Sequence, residues 1–393
     1  MSANTQAGQS QGERVFVIGV GMTDFRRCDT DVKELGRRAV RDALTDADVG
    51  YPALEQAFCG YVNGMSTLGQ QTLYGIGMTG IPVYNVNNNC STGSTALYMA
   101  WTAIRTGQND AVLALGFEKM QKGPLEKQLP GLEAIAADTE REQKAPIAAR
   151  MFGDAGRDHM EKYGTRAETF AKIAVKNHRH SVHNPRSQYR EACSLEEVLA
   201  SRTIHDPITL LQACPTSDGA AAAVVVSERF LRAHPHPGAV EIAGMALTTD
   251  RTDDFARGRI GMVGMGMTER AARQVYEQAG LGPHDARVIE LHDCFSTNEL
   301  ISYEGLGLCA EGDGEKLVED DACTYGGRWV VNPSGGLLSK GHPIGATGLA
   351  QCAELVWQLR GQAGKRQVHG ARIGLQHNLG LGGACVVALY RRG

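Results

Sequence analysis

The chain has 393 residues, 42% of them hydrophobic and 21% charged, a balance that supports two or three domains' worth of core and excludes a disordered protein. A formal net charge of −4 gives no basic excess to direct it to nucleic acid, and no apolar run reaches the roughly 18 residues needed to cross a bilayer. Ten cysteines lie scattered without CxxC pairs behind a polar N-terminus lacking an apolar signal core, which points to reduced thiols in a cytosol-like compartment and away from structural zinc.

In chain order, RVFVIGVGMTDF (14–25) reads as a buried strand and turn, and DVKELGRRAVRDALTDADV (31–49) has helical apolar spacing. QAFCGYVNG (56–64) and IPVYNVNNNC (81–90) are strands running into loops. STGSTALYMAWTAIRTG (91–107) is a helix ending at a glycine, and DAVLALGFE (110–118) is another strand. A polar stretch rich in Pro, Gln and His follows. It reads as an insertion on the first half, of a length that serves binding or lid roles. DPITLLQACPTSDGAAAAVVVSE (206–228) returns to a small-residue core strand.

The same order then repeats. AVEIAGMALTT (239–249) is a strand, TERAARQVYEQAGL (268–281) a helix, and ARVIELHDCF (286–295) a strand entering a loop. RWVVNPSGGLLSKGHPIG (328–345) feeds the helix ATGLAQCAELVWQLRG (346–361). ARIGLQHNLGLGGACVVALY (371–390) reads as two buried strands around a glycine turn. Alternating strands and helices predict layered α/β halves related by duplication. The expected parts are a first half at 14–118 and 206–235, an inserted loop domain at 119–205, and a second half at 236–393.

Four loops carry candidate chemistry, all at strand ends or helix starts, where layered α/β folds gather ligands. Cys90 precedes a helix among small residues. It is either a nucleophile whose thiolate the helix start favours, or a buried structural cysteine. His342, between Gly341 and Pro343, precedes the matching helix of the second half, so the two helix starts can face each other. His292 and Cys294 sit two apart at a strand end and can share a cleft, whereas Asp293 and Glu299 read as structural, with STNE (296–299) fitting a capping box. Gly380, Gly382 and Gly383 allow close backbone approach or simply a hairpin turn.

Together NNNCSTG, HDCF, GHPIGATG and HNLGLGG resemble the thiolase superfamily, in its sterol-carrier-protein type, over nearly the whole chain from about Arg14 to Tyr390. The resemblance implies a five-layer α-β-α-β-α fold. It makes Cys90 the acyl-carrying nucleophile and His342 its activator. His292 stands where ordinary thiolases have an asparagine that orients a water or the thioester oxygen. Their second catalytic cysteine is missing, since the matching triplet is Asn378-Leu379-Gly380, and Cys294 is the substitute proton shuttle. The backbone N–H groups of Cys90 and Gly380 are the expected oxyanion hole, and Ser339, Phe295, His377 and Asn378 the expected substrate-side neighbours.

The implied reaction is thiolysis of a 3-ketoacyl-CoA, with coenzyme A as a substrate and no metal or permanently bound cofactor. Lys119, Lys122, Lys127, Arg141, Lys144, Arg150, Arg157 and Lys162 are candidates to meet the CoA phosphates. The competing expectations are retro-aldol cleavage of steroid side-chain CoA esters with a small partner protein, or a non-catalytic CoA-ester or lipid-binding role. The aldolase relatives lack the nucleophilic cysteine, and Cys90 is present. A homodimer or tetramer in a bacterial cytoplasm is expected, and YRRG at the C-terminus carries no peroxisomal tag.

Overall fold

The computed structural model describes residues 12–120 and 145–393. The first half contributes β1 (Val15–Met22), β2 (Gln56–Gly60), β3 (Val83–Val86) and β4 (Ala111–Glu118). A separate two-stranded ladder, β5 (Thr203–His205) with β6 (Ile208–Thr209), precedes β7 (Gly219–Ser227). The second half contributes β8 (Val240–Thr248), β9 (Val288–Glu290), β10 (Val330–Val331), β11 (Ile373–Gly380) and β12 (Ala384–Arg391).

Ten of these strands form one sheet in the order β10-β9-β11-β12-β8-β1-β7-β4-β2-β3. Read from each outer edge, both halves run third, second, fourth, fifth, first, which is the duplication predicted from the repeating pattern. What the pattern did not foretell is that the halves join edge to edge: β1 pairs antiparallel with β8 at Phe16–Glu241 and Val17–Val240. Arg14 hydrogen-bonds the Glu241 carboxylate across this seam, and Arg391 of β12 holds the same carboxylate from within the second half.

The helices form the remaining layers. Asp31 caps α1 (Val32–Ala47) by accepting from the Lys33 N–H, and α1 covers the outer face of the first half. Helix α2 (Thr92–Arg105) lies between the half-sheets against its second-half counterpart. The alanines of β7 leave room for α1 on one face and the central helices on the other.

The inserted region supplies α3 (Ile147–Tyr163) and α4 (Ala167–Ser181). It interrupts the first half in sequence, but α4 rests on the second half. The reason is polar. Buried Asn177 donates to Asp293 at 2.8 Å, His180 Nδ1 lies 3.1 Å from the Asn332 carbonyl, and Lys176 pairs with Glu299.

Helix α5 (Met265–Ala279) covers the outer face of the second half, and α6 (Ser296–Gly305) and α7 (Gly336–Lys340) flank the loops after β9 and β10. The central partner of α2 is α8 (Thr347–Arg360), nearly all of whose residues are buried. The result is helix, sheet, helix, sheet, helix. Among the described residues no helix is long and apolar enough to cross a membrane.

Candidate active site

Cys90 occupies the turn between β3 and α2. Asn89 before it has φ 48°, a left-handed conformation that asparagine tolerates, and donates from Nδ2 to the Leu381 carbonyl at 2.7 Å. This bond ties the turn to the β11–β12 hairpin. The backbone N–H groups of Leu381 and of Cys90 itself act on the Cys90 thiol to lower its pKa. The expected lowering of the Cys90 pKa is overturned: burial pushes the thiol up to about 12 despite these donors, and nearby Glu118 adds to the rise. The resting sulfur is a neutral thiol.

Gly380 is not among the residues that line the cavity around Cys90. A Cβ at Gly380 would lie 2.2 Å from the Asn88 carbonyl, so its bareness admits the Cys90 turn rather than a ligand. The hairpin N–H that acts on the thiol belongs to Leu381, one residue on.

His342 stands at the start of the second-half central helix. Its Nδ1 is 2.6 Å from Thr347 Oγ1, which lies 3.0 Å from the Pro343 carbonyl. The Pro343 carbonyl also accepts the N–H groups of Ala346 and Thr347, so the Thr347 hydroxyl can either accept from His342 Nδ1 or donate to it. His342 Nε2 is buried and has no hydrogen-bond partner among the described residues. Burial, with Lys340 nearby, lowers the His342 pKa to about 3, so the ring is neutral.

His292 meets His342 edge to face, with ring centroids 5.1 Å apart and planes at 82°. The donor atoms of Cys90, His292 and His342 all lie within 4.8 Å of one another. Cys294 opens on the same cavity, its thiol held well above the ordinary range by burial, with the Cys214 and Cys90 thiols adding to the rise. Cys214 is a third thiol on this wall, donating its backbone N–H to the Cys294 carbonyl at 3.0 Å. The cavity is about 220 Å³, and its other walls include Met120, Ile147, Phe152, Ile204 and Phe295. Phe152 and Phe295 pack at 5.4 Å.

The remaining expected site residues separate. Phe295 lines the cavity; His377 and Asn378 stand behind His292, where Asn378 Nδ2 lies 2.9 Å from His292 Nδ1. Ser339 does not line the cavity. It is fully buried between α7 and α4, where its hydroxyl lies 2.6 Å from Ser181 Oγ and 3.2 Å from the Tyr189 carbonyl. Asp293 caps a helix, but the neighbouring one: it accepts from the N–H groups of Leu337 and Leu338. The STNE capping box does not form. Phe295 is the N-cap of α6, and Glu299 is drawn instead to Lys176, Asn177 and Tyr303. Burying that carboxylate without a cation would cost several kcal/mol.

Of the candidate CoA cations, Lys119 donates to the carbonyls of Cys28 and Thr30, Lys162 pairs with Glu311 at 3.1 Å, and Arg157 donates to the Asp206 carbonyl at 3.0 Å. Arg150 Nε has no partner among the described residues. Lys122, Lys127, Arg141 and Lys144 lie outside the described residues.

Glu118 escaped the sequence reading. It ends β4 and accepts from the N–H groups of Val62, Asn63 and Gly345, binding the β2 loop to the His342 loop. Burial raises its carboxyl to about 7 against those three donors. A lone acid closing an apolar strand was its only signal.

Residues 15–229 match the thiolase N-terminal domain family, and residues 259–389 the thiolase C-terminal domain-like family. The chain is 57% identical to sterol carrier protein 2 of Bos taurus, over 97% of this chain and 72% of that protein. It is 48% identical to the non-specific lipid-transfer protein-like 2 of Caenorhabditis elegans, over 97% and 96% of the two chains. Among solved structures, the Ltp2-ChsH2(DUF35) aldolase superposes with a TM-score of 0.82 at 25% identity, covering 96% of this chain and 98% of that one. Human mitochondrial 3-ketoacyl-CoA thiolase in complex with CoA superposes at 0.74 and 18% identity, over 97% and 98%, a likeness of fold alone. With the duplicated five-layer architecture and both domain families matched in order along its length, this chain belongs to the thiolase family.

Proposed function

We propose that the protein cleaves 3-ketoacyl-CoA with coenzyme A, giving a shortened acyl-CoA and acetyl-CoA, or propionyl-CoA from a 2-methyl substrate, by way of an acyl-cysteine. The observation that carries this reading is the buried, unpartnered Nε2 of neutral His342 beside the neutral Cys90 thiol in an apolar cavity; on this reading the His342 proton sits on Nδ1, toward Thr347 Oγ1, and Nε2 is the base. His342 takes the thiol proton as the sulfur attacks the 3-keto carbon. The C2–C3 bond breaks, Cys90 keeps the acyl group, and Cys294 gives its proton to C2 of the departing CoA enolate. The incoming CoA thiol then gives its proton to the Cys294 thiolate, which burial makes a strong base. CoA sulfur attacks the acyl carbon, and Cys90 leaves with the proton held on His342. Both residues return to their starting state, and no resident cofactor enters the cycle.

The neighbour titled as an aldolase with a DUF35 partner supports a second reading, retro-aldol cleavage of a CoA ester in complex with a partner protein. Cys90 separates the two. Incubation with a 3-ketoacyl-CoA without free CoA should leave an acyl mass on the Cys90 peptide, lost when CoA is added and absent in Cys90→Ala. In Cys294→Ala the adduct should be traceable while turnover is lost. No adduct with any chain length would discard the thiolase reading, and cleavage retained by Cys90→Ala would favour the aldolase.

A further inference from the structure

The hydrogen-bonding role of His292 in the cavity is set by the network behind it. Gly348 O can only accept. Gln376 Nε2 lies 2.7 Å from it and 2.8 Å from Ser94 Oγ, so the amide nitrogen faces both. The Gln376 oxygen then takes the Tyr390 hydroxyl at 2.6 Å. Turning this amide would set two carbonyl oxygens against each other. Ser94 accepts from Gln376, so its own hydrogen goes to Asn378 Oδ1 at 2.8 Å. Asn378 must therefore present Nδ2 to His292 Nδ1, 2.9 Å away. The side chains of Gln376, Tyr390, Ser94, Asn378 and His292 are all buried, and each link fixes the next without solvent. His292 Nδ1 accepts, and its ring proton sits on Nε2, the nitrogen left for the cavity.

We propose that Ser94, Gln376 and Asn378 are positioning residues that hold His292 as an N–H donor to the substrate oxygen, beside a His342 held as the bare acceptor. This rests on the reading of the cavity as a thioester-cleaving site. Thr347 and Gly348 are adjacent, so one helix start bears on both rings, Thr347 on His342 directly and Gly348 on His292 through Gln376. The glycine is needed for it: a Cβ at Gly348 would lie 2.1 Å from Ser94 Oγ and 2.6 Å from Asn378 Oδ1. His377 holds the backbone of His292 by the same logic. Thr268 spends its hydrogen on the Gly264 carbonyl at 2.9 Å and accepts from His377 Nε2 at 3.0 Å. His377 Nδ1 is thus bare and faces the His292 backbone N–H at 3.4 Å.

The opposition has chemical content. With two bare nitrogens, a substrate carbonyl oxygen would meet a lone pair. With two N–H groups, the Cys90 proton would have no destination. One of each lets the sulfur lose its proton while the carbonyl oxygen gains a donor. It also leaves His292 with no lone pair toward the cavity, so Cys90, His292 and His342 present a cation with two ligands rather than three.

The test is the position of the His292 proton in the full-length protein. Nitrogen NMR of the 15N-histidine-labelled chain separates protonated from bare ring nitrogens, and the His292 signals are those missing in His292→Gln. The expected result is a proton on Nε2 in the wild type. In Asn378→Asp, whose carboxylate accepts, the proton should appear on Nδ1. Neutron diffraction from wild-type crystals locates the same hydrogen with no variant. A wild-type His292 protonated on Nδ1 alone would overturn the proposal. In thiolysis, Asn378→Asp should lose about 10²-fold in kcat, as for removal of one oxyanion donor, with a smaller change in KM. An unchanged kcat in a variant whose tautomer has moved would also overturn it. If the wild type forms no adduct on Cys90 yet keeps the Nε2 proton, the thiolase reading fails and the positioning chain stands.

Discussion

On the proposed reading Thr347 accepts from His342 Nδ1, 2.6 Å away, and so keeps the His342 proton on that nitrogen. Thr347→Val keeps the shape and removes the acceptor. The buried His342 Nδ1–H then loses its partner, which costs about 1–3 kcal/mol and frees the ring to move its proton to Nε2. The rate of Cys90 acylation should fall roughly 10- to 100-fold, converting that energy into a barrier. Stopped-flow acylation checks this, with the thermal midpoint as a fold control; an unchanged rate would show that Thr347 does not set the tautomer. At this scale Cys90, His292, Cys294 and His342 were legible because each stands at a strand end or helix start in a distinctive motif. Ser94, Gln376 and Thr347 were not. Their importance lies in partners that only the fold supplies, such as the bond from Ser94 to Asn378 across 284 positions.

Among the described residues the outermost strand of the first half, β3, leaves one edge of the sheet unpaired, and it differs from the opposite edge. β10 is two residues long and buried, whereas β3 has a partly exposed face on which Tyr84 stacks over Phe58 at 5.2 Å. The segment leading to it exposes Met65, Tyr74 and Met78, the last at 78%. An uncovered strand edge beside apolar side chains is a template for pairing with another chain. The wild-type protein is expected to be a dimer through paired β3 edges, and the double variant Met78→Lys, Tyr84→Lys a monomer, by light scattering. A monomeric wild type, or a dimer indifferent to both charges, would move the contact elsewhere. The strand itself was legible from its sequence. Its edge position was not, since strand order depends on crossovers that local pattern does not encode.

Across the whole molecule, buried histidines set the response to acid. Burial lowers His180, His342 and His377 from 6.5 to about 3 each. Between those values the unfolded chain binds protons that the folded chain refuses, so stability present above pH 6.5 is lost as pH falls toward 3. Each such histidine contributes about 1.4 kcal/mol per pH unit inside the window. Glu118, raised to about 7, and the buried Asp293 and Glu290, also raised, take up protons in the fold over the same range and oppose the histidines, so urea midpoints should decline from pH 6.5 to 5 by less than three histidines alone would give, and Glu118→Gln should steepen the decline. A profile that stays flat down to pH 5 in Glu118→Gln would show that these rings are protonated in the fold. The duplicated halves were legible from the repeating order of patterns. Their union through β1 and β8 was not, because a short edge pairing between distant segments leaves no periodic trace. The resting place of α4 was hidden too, since its buried Lys176, Asn177 and His180 look like surface residues until their second-half partners are known.

A thiol held near 12 is ionised in only about one molecule in 10⁵ at neutral pH. Peroxides and alkylating agents react with the thiolate, so Cys90 is chemically quiet toward small electrophiles that wander into the cavity. On the proposed thiolase reading, a substrate differs in bringing a carbonyl oxygen that the His292 N–H can hold while His342 draws the proton away. The sulfur's reactivity is then on loan from the molecule it attacks, and between turnovers the nucleophile protects itself by being neutral.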